Sequence, residues 1–451
     1  MAPLIFHFST EGTWNFARQR EEAAYSARFY MAQAEAMTHG RLDVNRHEIE
    51  GECWERAAGP PLPPENCHGY FGLTPSLVRL PFLPILSRLG SALTPLYIGI
   101  ALLLSYFAAL RLLARSIIDF ADPETRRSWL LGYFIVGAIA LGPGGSLLFL
   151  SRPAVYEEAA AWGVAFFLLA LDRVWSWHRT HNTRSLWFAV IFAIASANAR
   201  PTTVTACMAL GVLVGVLGLG RPRVFAAAVC LSLVPLATAA GVFWLKLRSP
   251  FPDLVLNEQV PETPRWDVIL SRTGGATRGL QFAPTELVTY FRPDGVFWQH
   301  EWPYANFGFP HKDILWLPPL RRHAAYVERM STLTTTMPMP WIVNVWALVC
   351  LGGTAKRWAS FPQTERIFAA GLFASAAAMI VLTVTTVALT NRYLSDFFPM
   401  AVVGLAIGHR AILPTLGRHP FLGVLATVVA ILLVAWSVIV TFLLTTRIVF
   451  F

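Results

Sequence analysis

The chain has 451 residues, of which 55% are apolar and only 14% are charged. Soluble domains carry about 25% charged residues, so this composition excludes an ordinary soluble protein. The formal net charge of +9 does not indicate a nucleic-acid-binding protein, because the Lys and Arg residues form no basic run of that kind. Membrane proteins concentrate such residues in cytoplasmic loops, which accounts for the positive charge without a nucleic-acid partner.

The first 92 residues are mostly polar and precede the first clear apolar segment. The opening stretch "MAPLIFHFST" is too short for a signal peptide and lacks a basic start. Glu35 and Asp43 are candidate functional carboxylates in this region. The motif "HEIEGE" at 47–52 could bind a divalent cation through its carboxylates, but it has no partner motif, so ordinary surface residues are the favoured interpretation.

Hydropathy predicts ten membrane-spanning helices, six within 93–247 and four within 339–451. The clearest is "FLGVLATVVAILLVAWSVIVTFLL", which carries no charge. The predicted spans are 93–115, 129–150, 156–174, 185–199, 203–219, 223–247, 339–354, 366–390, 394–412 and 421–446.

Residues 248–338 separate the sixth and seventh predicted spans and are rich in Pro, Trp and other aromatic residues. Disordered linkers contain few aromatic residues. We therefore expect an ordered domain or a segment that lies at the membrane surface.

The short loops between the spans alternate in charge. One set is basic and should be cytoplasmic; it comprises 111–127, 173–184, 221–223, 356–366 and 410–418. The other set carries one arginine in each loop: Arg152, Arg200 and Arg392. This orientation places residues 1–92, residues 248–338 and the C-terminus outside. An external N-terminal region either follows a further helix before Met1 or crosses the membrane without one, and we favour the further helix.

The short loops that we predict to be external contain the candidate site residues. Any one of the three arginines could simply reach the lipid headgroups from a helix end. Three on one face favour binding of an anionic, lipid-linked group, because a guanidinium forms two parallel hydrogen bonds with a phosphate. Glu157 and Glu158 follow Arg152 and could favour a helix N-terminus or supply a general base. Adjacent helical residues point about 100° apart, so at most one of them faces a given cleft.

The chain resembles bacterial integral-membrane glycosyltransferases of the GT-C fold, which include mannosyl- and arabinosyltransferases that use polyprenyl- or dolichyl-phosphate sugars. The resemblance rests on 29–44, "GYFGLTPSLVRLP" (69–81), "SRPAVYEE" (151–158), "NARPTT" (198–203) and "NRYLSDFFP" (391–399). It implies an all-α polytopic protein of a bacterial plasma membrane with large external loops. It also implies transfer of a sugar from a polyprenyl-phosphate-linked donor to a glycan, lipid or protein acceptor.

On this interpretation Glu158, Asp43 and Glu35 are the catalytic carboxylates. The lipid phosphate is held by Arg200, Arg392 and Arg152. Cofactor use stays open between none and a divalent cation. The resemblance fails at Met31, which stands just after "FY" where the family leads us to expect an acid. Met31 favours a non-catalytic envelope assembly protein, and the break at Arg200–Pro201 between two short spans favours a transporter or lipid flippase, so both are kept as alternatives.

The chain has five cysteines. Cys207, Cys230 and Cys350 lie in apolar runs and are expected to be packing residues. Cys53 and Cys67 lie together in the region that we predict to be external, where disulfides are stable. We predict a disulfide between them.

Overall fold

The computed structural model describes residues 1–10, 12, 27–49, 53–54, 62–69, 71–89, 93–120, 125–143, 154–250, 271, 278–308, 326–327, 330–349, 362–386 and 388–450.

The N-terminal region contains four short helices and a small sheet. The helices are α1 (Ala2–Ser9), α2 (Phe29–Thr38), α3 (Thr74–Arg79) and α4 (Leu83–Leu89). The strands β1 (Val44–Asn45), β2 (Cys53–Trp54) and β3 (Asn66–Gly69) form an antiparallel sheet in the order β1-β3-β2. Cys53 and Cys67 form a disulfide between neighbouring strands, with their Cα atoms 5.5 Å apart.

Helix α1 packs against the helix Thr94–Phe120 and against the C-terminal part of the helix Pro420–Phe450. The ring of Phe8 contacts that of Phe442, with the ring centroids 5.4 Å apart. The stretch "LIFHF" is apolar but too short to stand out in a hydropathy window of about 19 residues.

An apolar helix lies at each of the ten predicted positions. The first six are α5 (Thr94–Phe120), α6 (Arg127–Leu141), α7 (Val155–Thr180), α8 (Thr183–Ala197), α9 (Thr203–Leu217) and α10 (Pro222–Leu247). After the connecting region come α13 (Pro338–Val349), α14 (Gln363–Thr383), α15 (Leu394–Arg418) and α16 (Pro420–Phe450).

Among the described residues, six of these helices are long and apolar enough to cross a membrane: α5, α7, α10, α14, α15 with its preceding turn, and α16. The other four are shorter apolar helices. The predicted all-α, multi-pass membrane architecture is confirmed, whereas the count of ten spans stays a prediction.

The connecting region between α10 and α13 contains α11 (Ala283–Phe291), the hairpin β4–β5 (Val296–Trp298 and Ala305–Phe307) and α12 (Leu333–Thr336). Strand β6 (Tyr326–Val327) pairs in parallel with β7 (Ala388–Leu389). The predicted span 366–390 therefore ends early, because α14 stops at Thr383 and the chain continues as β7. The β-branched run "TVTTV" after Leu382 favours extended backbone.

Helix α7 lies at the centre of the bundle, packed between α5 and α8. Its small residues, "AAAWGVA" at 159–165, are buried and allow this close approach. The Ser196 hydroxyl donates to the Gly163 carbonyl oxygen at 2.7 Å and joins α8 to α7. Apolar side chains remain exposed along α5, α8, α10, α13 and α16, as expected for helices that face lipid.

The N-terminal region closes the C-terminal end of α8. The backbone N–H of Thr74 donates to the Asn198 carbonyl oxygen at 3.0 Å, and its hydroxyl donates to that of Ala195 at 2.7 Å. Gly72 lies so close to Asn198 that a Cβ atom would collide with this carbonyl group. The Thr74 N–H thus provides a partner for the Asn198 carbonyl group, one of those that a helix end leaves without an intrahelical donor.

Candidate functional site

One end of the bundle gathers the polar connections, and we call it the loop end. It contains the N-termini of α7, α9 and α15, the C-termini of α8, α10 and α14, and the described parts of 27–93 and 278–336. We call the other end, where Asp172 contacts several arginines, the basic end. A buried lysine fixes the loop end: Lys246 of α10 donates to the carbonyl oxygens of Gly69 and Phe71 at 3.0 and 2.6 Å.

Glu158 forms a fully buried ion pair with Arg79 of α3. The two guanidinium nitrogens Nη1 and Nη2 contact the two carboxylate oxygens, and the Nη2–Oε2 distance is 2.9 Å. Arg79 also stacks over the ring of Tyr97 at 4.0 Å. A general base needs an oxygen that can reach the substrate. Because Arg79 occupies both oxygens, this geometry favours a structural role for Glu158 over the catalytic role that we predicted.

Arg200 follows α8 and is paired with Asp396 in the first turn of α15. Its Nη2 lies 2.7 Å from the Asp396 carboxylate, and its Nε donates to the Thr202 hydroxyl at 3.0 Å. The Thr383 hydroxyl donates to the same carboxylate. The pair joins α9, α14 and α15 and is buried. Arg200 is thus held in place, with most of its charge balanced.

Arg392 lies in the turn before α15 and stacks over the ring of Tyr156, with 3.9 Å between the guanidinium carbon and the ring centroid. The ring of Tyr393 lies 5.5 Å from the guanidinium carbons of both Arg392 and Arg200. The structure therefore brings together two of the three predicted arginines, around Tyr393. Arg152 lies outside the described residues.

The predicted carboxylates of the N-terminal region lie in different surroundings. Asp43 is buried beside the sheet and accepts a hydrogen bond from the Asn66 side chain at 2.8 Å; Arg41 lies 3.7 Å away. Glu35 is exposed on α2, with the Ser87 hydroxyl 3.5 Å from one oxygen. In the described part of the chain, neither carboxylate contacts Arg200 or Arg392.

Met31 is a core residue. It is buried on α2 and packs in the main apolar cluster together with Ala34 and Leu83. An acid at this position would lie in apolar surroundings, which are costly for a charge. Packing of α2 against the bundle therefore explains the methionine.

The motif at 47–52 shows no metal-binding arrangement in its described part. Glu48 pairs with Arg28 at 3.6 Å, and Glu50 and Glu52 lie outside the described residues. Across the described chain, the structure contains no group of three His, Cys, Asp or Glu side chains arranged to hold a metal ion.

A buried carboxyl group lies near the arginine cluster, on α11. The carboxyl group of Glu286 is almost completely buried. Burial raises the pKa of Glu286 to about 9, and the opposing effect of the Tyr290 hydroxyl is smaller. One turn further along, the Tyr290 hydroxyl donates to the Thr390 carbonyl oxygen at 3.4 Å, which holds α11 beside the turn that carries Arg392.

No family model and no curated protein matches the sequence. The chain is similar to the crystal structure of the Archaeoglobus fulgidus oligosaccharyltransferase in its apo form, with a TM-score of 0.51 and 14% sequence identity. This chain has a GT-C fold. The alignment covers 99% of this chain and 55% of the oligosaccharyltransferase, so the chain spans about half the length of its structural relative.

A second structure of that enzyme, tethered to an acceptor peptide with an NVT sequon, gives a TM-score of 0.50 and 15% identity over 99% of this chain and 54% of the relative. The fold class predicted from the sequence is therefore confirmed.

Within the GT-C fold, sequence reasoning found two arginines of the loop end but missed their surroundings. We did not predict a role for Arg79, Tyr156, Glu286 or Asp396. Arg79, Tyr156 and Glu286 have aromatic or apolar neighbours in the sequence, and such surroundings are typical of ordinary helix positions. A useful signal was available for Asp396, which lies four residues after Arg392 in an otherwise apolar segment.

Proposed function

We propose that the chain is a membrane glycosyltransferase of a bacterial plasma membrane. It moves a sugar from a polyprenyl-phosphate-linked donor to an acceptor at the loop end, which faces outside. The GT-C fold supports this proposal. The observation that carries it is the meeting of Arg392, Tyr156 and the Arg200–Asp396 pair where the helix ends adjoin the large polar regions.

Arg392 is the main phosphate ligand in this proposal. Its stacking on Tyr156 holds the guanidinium plane, which lowers the entropy lost when two of its N–H groups bind a phosphate. Arg200 is oriented by Asp396 and adds a second positive group nearby. Fixed positive charge stabilises the departing lipid phosphate most strongly where little water is present. The predicted third arginine, Arg152, would join them from the loop before α7.

We assign the general base to Asp43 in preference to Glu158 and Glu35. The Asn66 amide orients the Asp43 carboxylate, whereas Glu158 is enclosed by Arg79 and Glu35 is exposed. Asp43 also lies beside the start of β3, and Phe71 just after that strand packs on Tyr156, with the ring centroids 4.9 Å apart. The acceptor hydroxyl or amide would approach along this strand.

The direct test is transfer of radiolabelled sugar in proteoliposomes that contain the purified full chain. A panel of polyprenyl-phosphate sugars serves as donors, and the release of polyprenyl phosphate is measured. We expect Arg392→Lys to reduce turnover about tenfold or more, because lysine keeps the charge but loses the two-point contact. Asp43→Asn should reduce it by about 10²–10⁴-fold, the usual contribution of a general base.

Arg127→Lys is the matched control, because Arg127 is exposed at the basic end and should leave turnover unchanged. Parental activity in Arg392→Lys would contradict the phosphate role. Absence of transfer by the parent with every donor would contradict the enzyme and favour the non-catalytic assembly protein.

A lipid flippase is the second candidate, supported by the break between α8 and α9. These helices have 15 residues each and meet at the Arg200–Pro201 turn, and broken helices often form substrate sites in transporters. A fluorescent polyprenyl-phosphate sugar in the same vesicles separates the two. Movement of the intact lipid between leaflets without sugar transfer would favour the flippase.

A further inference from the structure

The β4–β5 hairpin exposes four large aromatic side chains. Phe297, Trp298, Trp302 and Tyr304 are 38%, 52%, 48% and 49% exposed. Trp302 and Tyr304 contact each other edge to face, with their ring centroids 5.5 Å apart. Such a patch on a water-facing loop is unfavourable unless something covers it.

The other side of the hairpin is fixed to the bundle. Ala305 and Phe307 are buried in the main core. The ring of Trp298 contacts that of Trp436 on α16, with the centroids 5.7 Å apart. The Trp436 indole N–H donates to the Thr335 carbonyl oxygen at 3.0 Å. The position of the exposed aromatic rings is therefore set by a helix that is long and apolar enough to span the membrane.

Helix α16 shows how far the lipid extends. Its large apolar side chains form an exposed stripe from Phe421 to Ile439; Val440 and Leu444 beyond it are buried, and Phe450 at the helix end is again exposed. At 1.5 Å per residue this exposed stripe is about 27 Å long, close to the ~30 Å hydrocarbon thickness of a bilayer. Trp436 lies about 22 Å along it, which is near the membrane face at the loop end. The hairpin thus begins where the lipid-facing stripe ends.

The composition of the patch fits the boundary between lipid and water. Trp and Tyr are enriched at membrane interfaces because an apolar ring and a polar N–H or O–H can each meet their preferred surroundings. The polar residues Gln299, His300 and Glu301 lie between the aromatic residues at the tip of the hairpin. A purely protein-binding patch would have no reason to continue the stripe of α16.

We infer that the β4–β5 hairpin is a membrane-interface anchor, with Trp298, Trp302 and Tyr304 in the phospholipid headgroup region at the loop end. The anchor holds segment 278–308, including α11, against the bilayer. This inference is independent of the proposed enzymatic function.

Lipid-dependent fluorescence quenching tests the anchor. A bimane label is attached to Glu301→Cys in the full chain, with Cys207, Cys230 and Cys350 replaced by alanine. The protein is reconstituted in phosphatidylcholine nanodiscs with or without lipids that carry a nitroxide at acyl carbon 5. We expect the nitroxide lipids to quench the label at least about twofold more strongly than aqueous iodide does.

Three variants of the labelled protein identify the cause. Trp302→Ser with Tyr304→Ser should abolish the preference for lipid quenching, and Trp302→Phe with Tyr304→Phe should retain most of it. Leu280→Ser is the matched control, because Leu280 is exposed in the same region but outside the hairpin. A label quenched mainly by iodide in the parent, or lipid quenching unchanged in the double serine variant, would overturn the inference. Intact folding of each variant is checked by its elution as a monodisperse nanodisc particle.

Discussion

The two ends of the helix bundle carry charges at similar helix-terminal positions but surround them differently. At the loop end two buried arginines each have one buried carboxylate as a partner: Arg79 pairs with Glu158, and Arg200 pairs with Asp396. Both pairs join segments that are distant in the sequence, by 79 and 196 residues.

At the basic end one carboxylate serves several arginines. Asp172 is buried, and its oxygens lie 3.4, 3.2 and 2.5 Å from nitrogens of Arg111, Arg115 and Arg173. These arginines are 37%, 26% and 26% exposed. Arg179 in turn contacts Asp119 at 3.2 Å. The arginines at this end outnumber the carboxylate that they share, and water can reach their guanidinium groups.

The difference shows that the number of charges at a helix end does not reveal what they do. Loss of one arginine at the basic end leaves Asp172 with other partners, so the free-energy cost should be small. Loss of one partner at the loop end leaves an isolated charge where water is excluded, which costs much more.

The sidedness of the two ends gives the largest expected effect, because labelling is all-or-none. We predict that a cysteine at Arg179 or Lys356 is cytoplasmic and that a cysteine at Leu280 is outside. An impermeant maleimide applied to intact cells should label only the last of these. Permeabilised cells are the control, in which all three positions react. Labelling at Arg179 in intact cells would reverse the assignment of both ends.

Removing one ion-pair partner at each end compares their stabilities directly. Arg79→Ala should destabilise the protein by about 3–5 kcal/mol, because Glu158 is then buried without a cation. Arg173→Ala should cost less than about 1 kcal/mol. Thermal melting in detergent, followed by size-exclusion chromatography, measures both. Equal losses would show that the two ends do not differ in the way described.

Glu158→Gln distinguishes the two roles considered for Glu158. As a partner of Arg79 only, Glu158 should lower the melting temperature when neutralised, and the exchange Arg79→Glu with Glu158→Arg should recover part of the loss. As the general base that we predicted from the sequence, it should instead leave the melting temperature unchanged and reduce turnover by about 10²–10⁴-fold.

The disulfide tests whether the loop end meets an oxidising compartment. Closing a loop of about 15 residues should stabilise the N-terminal region by roughly 3 kcal/mol in the chain-entropy model. Cys53→Ala with Cys67→Ala should therefore lower the melting temperature, with Cys207→Ala as control. Alkylation without reductant, followed by mass spectrometry, should find no free thiol at either position. Two alkylated cysteines in the parent would remove this prediction.

Glu286 provides the smallest effect and concerns a carboxyl group at the loop end without a cation. Its raised pKa of about 9 means that the folded chain binds a proton that the unfolded chain releases above its ordinary pKa of 4.5. Stability should therefore decrease as the pH rises through this interval. Glu286→Gln should melt a few degrees above the parent at pH 8.5 and at nearly the same temperature at pH 4.5. A parent that is equally stable relative to the variant at both pH values would contradict the raised pKa.

Much of the fold could be predicted because a helix that crosses lipid requires a long run of apolar residues. The span predicted at 223–247 corresponds to α10 at Pro222–Leu247, since apolar length alone identifies a buried or lipid-facing helix. The prediction failed where length was not decisive: α1 is too short for a window, and the span predicted to reach residue 390 ends at Thr383, before β7.

The site was harder to predict because its pairings connect distant parts of the chain. The presence of one arginine in each short predicted external loop was enough to identify Arg200 and Arg392 as candidates. The partner of Glu158 could not be predicted, because Arg79 lies 79 residues earlier in a stretch that resembles an ordinary helix end. A single sequence shows which charges are costly in a membrane but not which charge each one meets.

The contact of Gly72 and Thr74 with the end of α8 has a consequence for biogenesis. The carbonyl group of Asn198 emerges from the ribosome about 120 residues after the segment that caps it. A carbonyl group without a hydrogen-bond donor near lipid is costly. The C-terminal end of α8 is therefore stable only when the earlier segment is already present at that membrane face. Synthesis from the N-terminus delivers the parts in this order. The chain is therefore built so that a surface segment made early acts as the template on which a helix made later is completed.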